Sequence, residues 1–264
     1  MRLSVRHITR YAYDPPAERA ALRLRLYPPR FASQAVQTWA VSVNDVAIAP
    51  MLTNGLGEGE SIWSANAPQS AIEIIAEGVV EAAEASGVVR GLADHTRPAM
   101  FLRETALTAP DDAIVALAEG VREGQRLAML HKLCHAVREA VDYTPAATHH
   151  ATTAAEALAQ GAGVCQDHAH IFIAAARALG VPARYVAGYL APNFEGAHET
   201  HAWAEAYVGD LGWVGFDPAN RQCPTDAYIR LCAGFDAADA APVRGAVSFG
   251  AGEALDVQVE VAQQ

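Results

Sequence analysis

A change in hydrophobic period near residue 98 divides this chain. Before it, the sequence repeats every two residues. Within residues 2–13, Leu3, Val5, His7, Thr9, Tyr11 and Tyr13 fall on one face, and Arg2, Ser4, Arg6 and Arg10 largely on the other. That is the pattern of a half-buried strand, and Pro15 and Pro16 are expected to end it. Residues 22–27 (LRLRLY) alternate more strictly and stop at Pro28 and Pro29. Residues 36–43, 60–64 and 71–89 supply further strands, and Asn54 with Gly55 reads as a turn. Short strands separated by turn signals predict a β-sandwich over residues 1–98.

After residue 98 the period becomes helical. Pro110, Asp111 and Asp112 form a helix-start signal. Leu127, Leu130, Cys134, Val137 and Val141 recur every three or four residues, the stripe of an amphipathic helix over 123–141. Thr152 or Thr153 can cap a short helix that Gly161 closes. A mostly apolar helix over 165–179 ends at Gly180. Strands are expected at 183–190, 201–208, 212–217 and 254–261, with a short helix near 226–232. Helices followed by strands make residues 99–264 an α+β domain.

The charge follows the same division. The chain has 264 residues and a net charge of −11. Residues 1–98 hold nine Arg and ten acids, whereas residues 99–264 hold ten bases and twenty acids. This acidity argues against a nucleic-acid partner or an anionic membrane surface, and it suits cationic or neutral peptides. No apolar run reaches the ~18 residues of a membrane span, and MRLSVRHITRYAY lacks the apolar core of a secretion signal. With only four cysteines, the expectation is a cytoplasmic protein with reduced thiols. The first thirty residues carry seven Arg and two acids; most of that charge reads as solvated strand face. A homo-oligomeric contact with the acidic half of a second copy is a further option.

Three segments carry chemistry. In Gly161-Ala162-Gly163-Val164-Cys165-Gln166-Asp167, glycines precede a cysteine that opens a helix. Free N–H groups and the helix dipole there favour a thiolate and can hold an oxyanion beside the sulfur. In His201-Ala202-Trp203-Ala204-Glu205-Ala206-Tyr207, strand alternation puts His201 and Trp203 on one face. In Gly212-Trp213-Val214-Gly215-Phe216-Asp217-Pro218, a neighbouring strand ends in a carboxylate. A linker of about three residues lets the two strands pair as a hairpin, so Asp217 could orient the His201 imidazole. Cys165, His201 and Asp217 would then be nucleophile, general base and orienting acid.

GAGVCQDHAH, PARYVAGYL, HAWAEAYV and GWVGFDPAN, in that order, resemble the transglutaminase-like superfamily. More narrowly, the chain resembles bacterial transglutaminase-like cysteine proteases with an N-terminal β-domain. LSVRHITRYAYDPP and LRLRLYPP resemble that domain, and APVRG resembles the family's C-terminal signature. The resemblance implies a papain-like α+β core with a nucleophilic cysteine on a helix facing a sheet that bears the His and the Asp. It implies a peptide or protein substrate; animal members of the wider family use calcium, but the sequence has no Asp-rich calcium loop, so no cofactor is expected. Cys165, His201 and Asp217 match the catalytic positions. Gln166 and Asp167 match the family's CQD without belonging to the triad, and Asp167 can serve the helix N-terminus. Tyr143 matches an upstream aromatic position, either a packed tyrosine or an oxyanion donor. His168 stands where Phe is usual and, three residues past Cys165, could line the site. Phe235 and Ala237 stand where Arg and Tyr are common, which leaves the substrate open.

Two rivals remain at the level of sequence. Eight of the ten histidines lie between residues 131 and 201, and His131 and His135 have an i, i+4 spacing that could chelate zinc. A transglutaminase-like domain can also be a non-catalytic interaction module. The favoured expectation is acyl transfer or hydrolysis at peptide or isopeptide bonds, with glutamine transglutamination or deamidation as the alternative.

Overall fold

The computed structural model describes residues 1–191, 200–248 and 252–264. The first part is built from strands: β1 (Arg2–Ala17), β2 (Arg19–Tyr27), β3 (Gln34–Val43), β4 (Val46–Ala47), β5 (Leu52–Thr53), β6 (Gly59–Ala65), β7 (Gln69–Ala82) and β8 (Val88–Val89). Helices α1 (Asp112–Gly120), α2 (Arg126–Ala140), α3 (Ala154–Gln160) and α4 (Cys165–Ala178) follow. The short strands β9 (Asp142–Tyr143) and β10 (Ala162–Gly163) precede α3 and α4. The remaining strands are β11 (Ala183–Leu190), β12 (Thr200–Val208), β13 (Gly212–Phe216), β14 (Tyr228–Gly234), β15 (Val243–Ser248) and β16 (Glu253–Gln263). This is an α+β fold, and among the described residues no helix is long and apolar enough to cross a membrane.

The helix starts follow local chemistry. The Asp111 carboxylate accepts the Ile114 N–H at the start of α1, and Thr153 and Glu156 form a reciprocal capping box at α3. Helix α4 is buried along nearly its whole length and packs against β11 and β12. It is the central element of one core, in which Ile171, Phe172 and Ile173 meet Leu130, Leu133 and Val137 of α2.

The strand-rich part is a two-sheet sandwich with strand orders β16-β1-β7-β3-β4 and β15-β2-β6-β5. Its inner faces are those that the two-residue period assigns: Leu3 and Val5 of β1 and Leu22 and Leu24 of β2 are buried in one cluster. Strand β1 continues through Pro15 and Pro16, contrary to the expected stop. Its pairing with β7 breaks after Ala12 and resumes at Ala17, so both prolines lie in the unpaired stretch, where a missing N–H costs nothing.

Two further expectations are corrected. Residues 226–232 are not a short helix: Tyr228–Gly234 is a strand at the edge of the sheet β14-β11-β12-β13-β8. Every residue of β14 is buried, so it has no in–out alternation to betray it, and a short apolar run reads equally as helix. The division at residue 98 is also one of sequence rather than of space. Strands β15 and β16 pair with β2 and β1 of the sandwich, while β8, from the first part, pairs with β13 of the other sheet.

A buried ionic chain ties the two parts together. Asp94 meets Arg184, Arg184 meets Glu205, Glu205 meets Arg230, Arg230 meets Glu58, and Glu58 meets Arg25. Three guanidinium groups alternate with three carboxylates, so the chain is neutral. Burial works against the Glu205 carboxylate, but Arg230 and Arg184 hold it below the usual range.

Candidate active site

The site is built where α3 hands over to α4. Gly161 adopts a left-handed conformation (φ 68°) that ends α3. Strands β9 and β10 then pair in parallel, Gly163 opposite Tyr143. A Cβ on Gly163 would lie 2.8 Å from the Asp167 side chain, so only glycine lets that carboxylate fold back. Asp167 Oδ2 accepts the Val164 N–H at 2.8 Å and the Thr148 hydroxyl at 2.6 Å. An acid in the first turn thereby closes the helix N-terminus, as the sequence suggests. Cys165 is the first helical residue and is half-buried. Its N–H and that of Gln166 belong to the first turn, where no intrahelical acceptor exists.

The sheet supplies the other groups. The β12–β13 register pairs Ala204 with Phe216. Continued by one step it sets Asp217 across from Trp203 and diagonal to His201, all on one face. His201 Nε2 lies 2.7 Å from Asp217 Oδ2, and only 10% of the His201 side chain is exposed. With Nε2 taken, Nδ1 is the ring nitrogen left for Cys165. Burial alone would lower the His201 pKa. Hydrogen bonds to Asp217 and to the Cys165 thiol outweigh it, with their charges, and raise it to about 10. Burial would raise Asp217, yet its bonds to His201, Asn220 and Tyr228 bring it below the ordinary carboxylate value.

Asp217 is held by more than the histidine. Tyr228 donates its hydroxyl to Oδ2 at 2.7 Å, and Asn220 Nδ2 donates to the same oxygen at 2.7 Å. The Tyr228 hydroxyl itself accepts from Gln222 Nε2 at 2.8 Å. Sequence reasoning missed both Tyr228 and Asn220. Asn220 was legible in principle, since Asp-Pro-Ala-Asn is turn chemistry in which the Asp side chain caps a following N–H; the Asn220 N–H does reach Oδ1, at 3.3 Å. Tyr228 was hidden by the misread β14.

The structure brings Cys165, His201 and Asp217 together and sorts the remaining candidates. Tyr143 and Gln166 line the cleft beside Cys165. Tyr143 is 42% exposed and its ring stacks against His168. His168 does not line the cleft: it is fully buried, with Nδ1 2.8 Å from the Val164 carbonyl and Nε2 3.0 Å from that of Val141. Trp203 lies behind His201, stacked at 6.3 Å and 2% exposed. Gly188 makes room for it, because a Cβ there would come within 2.6 Å of the indole and 2.2 Å of the Ile229 carbonyl. Phe235 sits under the Arg103 guanidinium, 4.0 Å from its ring centre, whereas Ala237 lines the cleft.

The His131 ring packs edge-on to Phe216 at 5.3 Å. Among the described residues no three His, Cys, Asp or Glu side chains converge as metal ligands. Burial raises the thiols of Cys134 and Cys232 to about 12 and that of Cys223 to about 11.

The cleft has a volume of about 590 Å³. One wall is Tyr143, Pro145, Val164 and Cys165; another comes from β1 and β16 of the sandwich. The sandwich thus frames the site.

Comparison with known proteins follows the same two-part division. Residues 3–81 match the bacterial transglutaminase-like N-terminal region, and residues 115–218 match the transglutaminase-like superfamily core. The uncharacterized protein ML0607 of Mycobacterium leprae is 30% identical over 281 aligned positions, covering 98% of each chain. The uncharacterized protein Rv2569c of Mycobacterium tuberculosis is 37% identical over 131 positions, 45% of this chain and 42% of that one. Among solved structures, a Cytophaga hutchinsonii protein provisionally designated a cysteine protease superposes with a TM-score of 0.77. It covers 99% of this chain and 90% of its own at 23% identity, a likeness of fold. With both parts matched and identity sustained along the whole length of a relative, the chain belongs to the transglutaminase-like superfamily.

Proposed function

We propose that this protein is a cysteine-dependent acyl-transfer enzyme that cleaves peptide or isopeptide amide bonds through a Cys165–His201–Asp217 triad. The observation that carries the reading is a His201 held 2.7 Å from Asp217 and lining one cleft with Cys165, the first residue of a buried helix. Cys165 attacks the amide carbonyl as the thiolate, its proton held on His201. The raised His201 pKa suits this role, because the ring stays charged at neutral pH. The tetrahedral oxyanion forms beside the first turn of α4, where the Cys165 N–H can donate to it. His201 gives its proton to the leaving amine, the C–N bond breaks, and a thioester remains on Cys165. Water then attacks the thioester carbonyl as His201 takes its proton, the C–S bond breaks to return Cys165 as the thiolate, and the acid is released. An amine entering instead would give transamidation, because both outcomes share one acyl-enzyme. Asp217 keeps the ring in the tautomer and orientation that present Nδ1 to sulfur.

The test is turnover of a peptide library by the wild type and by Cys165→Ala, with and without a primary amine. Loss of all turnover in Cys165→Ala, with the fold intact, supports the triad. Turnover retained without the thiol would refute it. Product that incorporates the amine in preference to water would move the assignment to a transferase.

A further inference from the structure

The sandwich does more than pack against the catalytic half: its inner face runs out into the cleft. Strands β1 and β16 pair His7 with Val259 and Val5 with Val261, and all four residues are buried. Continuing outward on the same face, Thr9 pairs with Val257 and Tyr11 with Leu255. The two-residue period fixes this direction, since every second side chain shares a face. Yet Leu255 is 56% exposed and Val257 47%. They are the part of the apolar face that the second sheet does not cover, and with Tyr11 they line the same cleft as Cys165 and His201.

The chemistry of that cleft differs from the chain's overall acidity. Among the described residues its lining contains no Asp, Glu, Lys or Arg. Burial keeps His7 uncharged by lowering its pKa to about 4, and its Nδ1 is held 2.9 Å from the Tyr189 hydroxyl. The next acid along the face, Glu253, is engaged by a hydrogen bond with Tyr13. The small side chain of Ala237 leaves space, and Ala240, Ala241 and Pro242 continue the apolar lining. A cleft of about 590 Å³ is of the size that encloses a small ligand or a short peptide segment.

We propose that Tyr11, Leu255 and Val257 form a substrate-recognition strip that selects a bulky uncharged apolar side chain next to the carbonyl attacked by Cys165. The substrate class is then a neutral, aromatic or aliphatic peptide segment. The cationic peptides that the overall charge suggests are disfavoured, because among the described residues the lining offers an ammonium group no carboxylate in exchange for its hydration. The proposal rests on Cys165 being the nucleophile, and its test separates the two.

The full chain is treated with N-acetyl-aminoacyl chloromethyl ketones bearing Phe, Lys or Glu side chains, with iodoacetamide as the reference alkylator. Labelling of Cys165 is followed by intact mass, with Cys165→Ala as the blank. The Phe probe is expected to label at least about 10-fold faster than either charged probe, the discrimination typical of one apolar group in an apolar pocket. Measured relative to the iodoacetamide rate of the same variant, Leu255→Asp should cut the Phe-probe rate about 10-fold and raise the Lys-probe rate. Leu255→Ala should give a smaller loss in the same direction. Both substitutions fall on an exposed strand position, and an unchanged melting temperature certifies the fold. Equal rates for the three probes, or a Phe-probe rate unmoved by Leu255→Asp, would overturn the strip while leaving the nucleophile intact. Iodoacetamide labelling of Cys165 no faster than of Cys223 would overturn both.

Discussion

Replacing Glu58 by glutamine should destabilise the protein by about 3–5 kcal/mol, the usual cost of breaking a buried ion pair from one side. Glu58 is fully buried and accepts from three donors: an Arg25 guanidinium nitrogen, Arg230 Nη1 at 2.7 Å and the Ala233 N–H at 2.9 Å. Arg25 and Arg230 are themselves 2% and 3% exposed, so neither can turn to water. Glutamine keeps the shape but removes one negative charge from a balanced chain, and it turns an N–H₂ toward a guanidinium. Glu60 is the control, two positions away. It makes a two-pronged pair with Arg23, at 2.7 and 2.9 Å, but that arginine is 35% exposed. Solvent screening reduces such a pair to about 1 kcal/mol or less. Urea denaturation of both variants, read as the shift in midpoint at constant slope, measures the difference. A Glu58→Gln loss below about 1 kcal/mol, or equal losses at the two sites, would refute burial as the source of the energy.

Three further outcomes are expected. Tyr228→Phe keeps the ring against Trp203 and His201 but deletes the hydroxyl on Asp217; it should cost about 1.5–3 kcal/mol in stability and slow Cys165 alkylation, and a variant equal to wild type in both measurements would remove Tyr228 from the site. The raised His201 pKa stabilises the fold fully below pH 6.5 and loses that contribution as pH rises through about 10. Melting temperature should therefore fall between pH 7 and 10, and Asp217→Asn should flatten that slope; an NMR titration of His201 near its ordinary value would contradict the reasoning. Gly188→Ala should destabilise by about 1–3 kcal/mol through overpacking against Trp203 and the Ile229 carbonyl, measured by thermal unfolding, and a neutral effect would show that the indole position is free to shift.

The sequence by itself determined the local elements and the order of the chemical groups. Alternation in residues 2–13 and 22–27, the Asp111 and Thr153 caps and the glycines before Cys165 are read within a few residues of chain, because each depends on near neighbours. The hairpin spacing between His201 and Asp217 is of the same kind, and the 2.7 Å contact follows from it. Tertiary structure decided what lies far apart in sequence. Strand β14 has no alternation because both of its faces are buried, so neither its identity nor the Tyr228 contact with Asp217 could be read locally. His168 has the right helical spacing to face the site, but the Val141 carbonyl, 27 residues away, receives its ring instead. The return of β16 to β1 pairs residues about 250 positions apart and turns the last strand of the chain into a wall of the cleft. Local patterns encode which side of an element is apolar. Only the assembled sheets decide which part of that apolar side stays uncovered, and here the uncovered part lines the same cleft as Cys165.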